Sequence, residues 1–175
     1  MREDLLPMLE LLPIRIRVGM VLAICEKVLP VLAENETAFS ACRAALNDGW
    51  KWAKGDSISA IEIYNHMETL GDCETSASRE QEINSICAVE LTIQYVSWHA
   101  FKIELKGVAP QSRPVPNDMA DVTENYLSQI IDFAGKADES VPGWVRALLN
   151  GNHFKSSLAD AHKIGPAISK GNYGL

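Results

Sequence analysis

The chain has few of the features that mark a secreted or membrane-embedded protein. Its 175 residues include four cysteines, and none of them forms a Cys-x-x-Cys pair. We therefore expect reduced thiols and a cytoplasmic protein. The longest uncharged apolar run, residues 18–25, is far shorter than the roughly 20 residues that span a bilayer. Glu3 and Asp4 stand where a signal peptide would carry positive charge, so we expect neither a membrane segment nor a secretory signal.

Motifs of catalysis and metal binding are also missing. The sequence has no Gly-rich phosphate loop, no nucleophile elbow and no Glu-x-x-His of the di-iron bundles. Its four histidines are His66, His99, His153 and His162. Glu62 lies one helical turn before His66, but one such pair is more typical of surface or capping groups than of a metal site. The sequence predicts no metal, no cofactor and no enzymatic activity.

What the sequence does contain is the composition and periodicity of a helical globular protein. Hydrophobic residues make up 47% of the chain and charged residues 22%, and no segment alternates in the manner of a β-strand. We predict an all-α fold, a single domain over residues 1–175. It is a bundle of six or seven helices around a long central helix.

Periodicity and capping residues place the first three helices. A helix over residues 14–33 has an apolar arc wider than half its circumference, and Pro30 should kink its last turn. Thr37 is predicted to cap a second helix that runs to residue 54 and stops at Gly55. Asp56 or Ser57 should cap a third helix that ends at Gly71, followed by a polar connector over residues 71–78.

The longest pattern, residues 79–106, predicts the central helix. Ser78 and Gln81 resemble a capping box at its start, and Gly107 closes it. One polar strip should face solvent, made by Gln81, Asn84, Thr92, Tyr95, His99, Lys102 and Lys106. A proline-rich loop over residues 109–117 should lead to amphipathic helices at 118–137 and 142–149, and a shorter segment begins near Ser156.

Two carboxylates lie within or beside apolar helix faces. Glu90 lies inside the apolar arc of the central helix, where an ionised group needs a partner. It could be a catalytic acid or base with a raised pKa, but a structural ion pair or a hydrogen bond to another helix is the more ordinary interpretation. Glu26 flanks the arc of the first helix and could pair with Arg15 or with a neighbouring helix.

Charge is unevenly distributed along the chain. Residues 116–140 carry six acids against Lys136 alone, whereas residues 141–175 carry four basic residues against Asp160. The acids are Asp118, Asp121, Glu124, Asp132, Asp138 and Glu139. An acidic helix face is most often only solvated, but it can also dock a basic protein partner. The same sign disfavours nucleic acid as a partner.

Several of these features together resemble a known family. The first helix contains Ala23-x-Cys25-Glu26-Lys27-x-x-Pro30, the second contains Trp50, and a proline-rich loop precedes an acidic helix. With the long central helix, they resemble the all-helical immunity proteins of bacterial polymorphic toxin systems, namely the sixth predicted immunity family. The first-helix pattern is also similar to a bacterial family of helical proteins of unknown function. The likeness covers most of the first hundred residues.

The resemblance implies an immunity protein that is encoded beside a toxin and acts in bacterial competition. Such a protein binds the C-terminal domain of its toxin in the cytoplasm and blocks it stoichiometrically, and the toxins are often nucleases. Cys25, Glu26, Pro30 and Trp50 match the family pattern, and we expect them to be architectural. We expect the six acids of residues 116–140 to bind the toxin.

Two alternatives stay open on the sequence alone. One is a helical structural or regulatory protein that binds another cytoplasmic partner. The other is a helical enzyme that uses Glu26 and Glu90 as acid and base.

Overall fold

All the regular structure in the described part of the chain is helical. The computed structural model describes residues 5–108, 115–117, 119, 122–123 and 125–150, and no strand occurs among them. In chain order the elements are α1 (Leu5–Glu10), α2 (Ile14–Val28), a 3-10 helix (Leu29–Leu32), α3 (Glu36–Lys54), α4 (Ala60–Tyr64), α5 (His66–Ser76), α6 (Glu80–Glu104), α7 (Asn125–Ala137) and α8 (Val141–Asn150). The predicted all-α bundle is confirmed. None of the described helices is long and apolar enough to cross a membrane.

Helix α2 is enclosed by its neighbours, as its wide apolar arc predicts. Every residue from 18 to 26 is buried. The α-helix ends at Val28, earlier than predicted, and the next turn tightens into the 3-10 helix. Pro30 accounts for this change because it has no N–H group to continue the α-helical hydrogen bonding.

Helix α3 packs closely against α2. A Cβ atom added at Gly49 would lie 2.7 Å from Leu22 Cδ2, so a larger residue here would require the Leu22 side chain to shift. The predicted stop is confirmed, since Gly55 is left-handed with a φ of 87°. The predicted cap is wrong: the side chain of Asn35, not of Thr37, accepts the N–H of Ala38.

The segment after α3 differs most from its prediction. Ser59 and Glu62 form the capping box of α4, so neither Asp56 nor Ser57 is the cap. Residues predicted as a polar connector belong to α5, which continues through Gly71 to Ser76. Glycine inside a helix costs about 1 kcal/mol relative to alanine. Burial of Leu70 and Cys73 on either side of it offsets that cost, because packing against the bundle outweighs local propensity.

Helix α6 is the central helix, as predicted. It contacts α2, α3, α4, α5 and α7. Its cap is one residue later than predicted, because Glu82 accepts hydrogen bonds from the backbone and the guanidinium of Arg79. Gly107, with a φ of 89°, follows its last turn.

The predicted solvent-facing strip of α6 is partly wrong. Asn84, Thr92 and Tyr95 are buried. Thr92 Oγ1 lies 3.1 Å from Cys25 Sγ, and the hydroxyl of Tyr95 accepts a hydrogen bond from Arg17. Thr92 and Tyr95 can be buried because α2 supplies polar partners for them.

The last two helices cover α6 and α2. Helix α7 lies along α6, and α8 contacts α1, α2 and α7. Helix α7 begins at Asn125, later than the predicted residue 118, and Met119 and Val122, which precede it, are nevertheless buried. Pro142 stands in the first turn of α8, close to its predicted place. The segment from Ser156 and most of the proline-rich loop lie outside the described residues.

Candidate functional site

The acids predicted to bind a partner occupy different environments. Asp132 is half-buried in α7, whereas Glu139 is exposed between α7 and α8. Asp138 is half-buried, and its Oδ1 accepts the N–H of Ser140 at 2.9 Å, just before α8. Asp138 therefore helps to shape the turn between the two helices. The other predicted residues, Asp118, Asp121 and Glu124, lie outside the described residues.

A second acidic surface, which the sequence analysis did not single out, lies on α4 and α5. Residues 55–78 contain five acids and no lysine or arginine. Glu62, Glu68 and Asp72 are exposed. Glu68 and Asp72 are four residues apart, so they share one face of α5. A count of charges along the chain would have predicted this acidic surface, because residues 55–78 contain no lysine or arginine.

Glu26 is a buried carboxylate that joins α2 to α3. Its Oε1 accepts hydrogen bonds from Arg43 Nη1 at 2.7 Å and from Trp50 Nε1 at 3.1 Å. The side chain is 3% exposed, so both donors are needed to satisfy its charge. The predicted contact with a neighbouring helix is confirmed. The alternative partner, Arg15, instead donates to the carbonyl of Trp52.

Two positions of the family pattern are therefore explained by one hydrogen bond, that between Glu26 and Trp50. A third position, Cys25, links α2 to α6. Its thiol lies 3.4 Å from the carbonyl of Ala88 as well as close to Thr92. Burial raises the pKa of Cys25, so this thiol stays protonated and packs as a small apolar group.

Glu90 belongs to a cluster where α3, α5 and α6 meet. Burial, and a hydrogen-bonded carboxyl group on Glu74 of α5, raise the pKa of Glu90 to about 7. Cys87 faces the same two carboxyls, and burial raises the pKa of its thiol to about 12. Burial, with a smaller contribution from nearby Glu90, also raises the pKa of the Cys42 thiol on α3 to about 12. The predicted hydrogen bond to another helix is confirmed, and the pKa is raised as well.

The two carboxylates of the enzyme hypothesis have separate surroundings. Glu26 is held by Arg43 and Trp50, whereas Glu90 is paired with Glu74. They share no hydrogen-bond partner among the described residues. Each of the two contacts links a pair of helices, which is an architectural role.

His66 does not pair with Glu62, the acid one helical turn before it. Its Nε2 lies 2.8 Å from Asp48 Oδ2 on α3, whereas Glu62 is engaged by the backbone and hydroxyl of Ser59. Lys51 Nζ lies 2.7 Å from the other oxygen of Asp48. Within the described part of the chain, no three histidine, cysteine or acidic side chains are arranged to hold a metal ion. His153 and His162 lie outside it.

Comparison with known proteins identifies the family. The model of the family described as Immunity protein Imm6 matches residues 16–135. The match includes most of α2 with its Cys25-Glu26 pair, all of α3 with Trp50, and the whole of α6. No curated protein and no solved structure matches the chain. A family model that covers well over half of the sequence shows kinship across the core of the bundle, so the chain belongs to the Imm6 family of immunity proteins.

Proposed function

We propose that this protein neutralises a cognate toxin by one-to-one association in the cytoplasm. The observation that carries the proposal is the family match over residues 16–135, which spans the helices at the centre of the bundle. The toxin domain is a basic protein, and a nuclease is the class we favour. Blocking a toxin in this way requires a complementary surface on the immunity protein, not a reaction.

The negative charge of this protein supports a basic toxin as its partner. The chain has a formal net charge of −7, and its acids are concentrated over residues 55–78 and 116–140. A nuclease binds phosphates with a positively charged groove. An acidic protein is attracted to such a groove, and the attraction raises the association rate and disfavours other partners.

We place the toxin contact on residues 116–140, at the acids Asp118, Asp121, Glu124, Asp132, Asp138 and Glu139. Of those that the structure describes, Glu139 is the most accessible. The acidic surface of α4 and α5 is the competing location. Both would attract the same partner, so an experiment must alter them separately.

Two charge-reversal variants with the same change in net charge test the location. One is Asp118→Lys with Asp121→Lys, and its matched control is Glu68→Lys with Asp72→Lys on α5. Calorimetry would measure the affinity of each for a catalytically inactive toxin domain, taken from the gene beside this one. Thermal denaturation would check that each variant is folded.

We expect the first variant to bind roughly tenfold more weakly and the α5 variant to bind as the wild type does. The reverse pattern would move the interface to α5. Wild-type affinity in both variants would refute the electrostatic argument. Failure of the wild-type protein to bind the toxin domain, or to rescue cells that express the active toxin, would refute the proposed function itself.

A further inference from the structure

An apolar groove lies between the end of α6 and the residues that lead into the acidic segment. Its volume is about 330 Å³. Trp98 and Phe101 of α6, with Leu105 just after it, line one side of the groove, and Val115 and Met119 line the other. Phe101 and Met119 are buried and make the floor. A volume of this size is at the lower end of the range for ligand pockets, and it suits one large side chain better than an extended molecule.

The upper part of the groove is open. Trp98, Leu105 and Val115 are only half-buried, and Asn117 at the edge is exposed. The indole of Trp98 therefore presents apolar surface that no described residue covers completely. A half-buried tryptophan beside an apolar groove is typical of protein interfaces, where tryptophan is enriched among the residues that contribute most to binding.

Lys102 shows that the ring of Trp98 is accessible. Its Nζ lies 3.3 Å from the ring centroid, although the lysine side chain itself is exposed. A hydrated ammonium group can reach the ring only from the solvent side. An exposed cation–π contact is worth about 0.5–1 kcal/mol, so a better partner for the ring can displace Lys102.

The position of the groove relates it to the proposed toxin contact. Pro116 and Asn117 line it, and they are the first residues of the 116–140 segment, which has a charge balance of −5. In the chain, Asp118 separates Asn117 from Met119, and both of these residues line the groove. An apolar pocket is thus bordered by a segment that attracts basic protein surfaces. Interfaces commonly combine an apolar centre with a charged rim in this way.

We propose that the groove receives one aromatic side chain that projects from the basic surface of the toxin. The aromatic ring would replace Lys102 on the face of Trp98, because two rings stack with more buried area than an ammonium group provides. Asp118, which follows Asn117 in the chain, and the other acids of residues 116–140 would attract the basic surface that carries this ring. This inference rests on the proposed function and names the apolar centre of that interface.

A groove-filling variant tests the inference. Asn117→Trp places a bulky side chain at the exposed edge of the groove, and Asn47→Trp makes the same substitution on the exposed surface of α3, which does not line the groove. Trp98→Ala removes the proposed contact from the other wall. Calorimetry with the inactive toxin domain would compare all three with the wild type, and thermal denaturation would confirm that they are folded.

We expect Asn117→Trp and Trp98→Ala to bind roughly 30-fold more weakly, and Asn47→Trp to bind normally. A second measurement does not depend on the folding of any variant. The indole N–H signal of Trp98 in the wild-type protein should shift when unlabelled toxin domain is added, while that of Trp50, bonded to buried Glu26, should not.

The outcomes separate the two proposals. If the wild type binds the toxin while Trp98 stays unperturbed and Asn117→Trp binds normally, the groove is not part of the interface and the proposed function stands. If the wild type does not bind the toxin, both proposals fail.

Discussion

Replacing Glu90 with glutamine should change how stability depends on pH. The pKa of this carboxyl is raised to about 7 by burial and by the neighbouring carboxyl of Glu74, against about 4.3 in an unfolded chain. A carboxyl whose pKa is higher in the folded state favours folding when it is protonated. The stabilisation is complete below the unfolded pKa and is lost as the pH rises to about 7.

The size of the effect follows from the shift. Each pKa unit corresponds to about 1.4 kcal/mol, so the full shift would correspond to about 4 kcal/mol. Glu90 is only half-buried, and solvent screening reduces the expected loss to roughly 1–2 kcal/mol. Glutamine has the same shape and no charge, and its amide can donate a hydrogen bond to Glu74. Glu90→Gln should therefore remove the loss of stability between pH 5 and pH 8.

Thermal denaturation at pH 5 and pH 8 measures the difference. We expect the wild type and Glu90→Gln to melt at similar temperatures at pH 5, and the variant to melt about 2–8 °C higher at pH 8. The range stops at pH 8 because the cysteines of an unfolded chain begin to ionise above it. Glu68→Gln, an exposed acid on α5, is the matched control and should follow the wild type.

The result that would refute this reasoning is a Glu90→Gln variant with the pH profile of the wild type. That outcome would mean that Glu90 titrates alike in the folded and unfolded states, so the contact with Glu74 would not raise its pKa. Glu74→Gln provides an independent check, because it removes the neighbouring charge and should also flatten the profile.

Two further predictions concern contacts between helices. Trp50→Phe removes the indole donor to Glu26 and should lower the free energy of unfolding by about 1–3 kcal/mol in urea titrations; a change below 0.5 kcal/mol would contradict the role assigned to this bond. Asp48→Asn should lower the melting temperature by about 1–4 °C at pH 7 but not near pH 3. Partial burial opposes ionisation of Asp48, but the hydrogen bonds from Lys51 and His66 outweigh the effect of burial and lower the pKa of Asp48. Its contribution to stability is therefore present above the ordinary pKa of aspartate and is lost in acid. An equal deficit at both pH values would show that the charge of Asp48 is not its source.

Local sequence patterns were enough to predict the helical architecture. The apolar period located α2, α3, α6 and α7, and the left-handed stop at Gly55 followed from the freedom of glycine at positive φ. These predictions succeed because they depend on residues within one or two turns of each other. The Cys25-Glu26 and Trp50 pattern indicated the family for the same reason, since a family pattern is read along the chain.

Details that depend on neighbouring helices were predicted less well. Periodicity shows which way a side chain points from its own helix axis, but not whether another helix covers that direction. Thr92 and Tyr95 lie on the polar side of α6 and are nevertheless buried, because α2 crosses that side and supplies polar partners. Helix α5 continues through Gly71 because its buried face packs on the bundle, although local propensity indicates a stop.

The sequence by itself therefore determined the helical class, the order of the main helices, the acidic balance and the family signature. Tertiary structure decided which groups meet. It paired Glu26 with Arg43 and Trp50 instead of Arg15, brought Glu90 against Glu74, and formed the groove beside Trp98. Burial and partnership arise between residues far apart in the chain, and the packing of the whole bundle sets their distances.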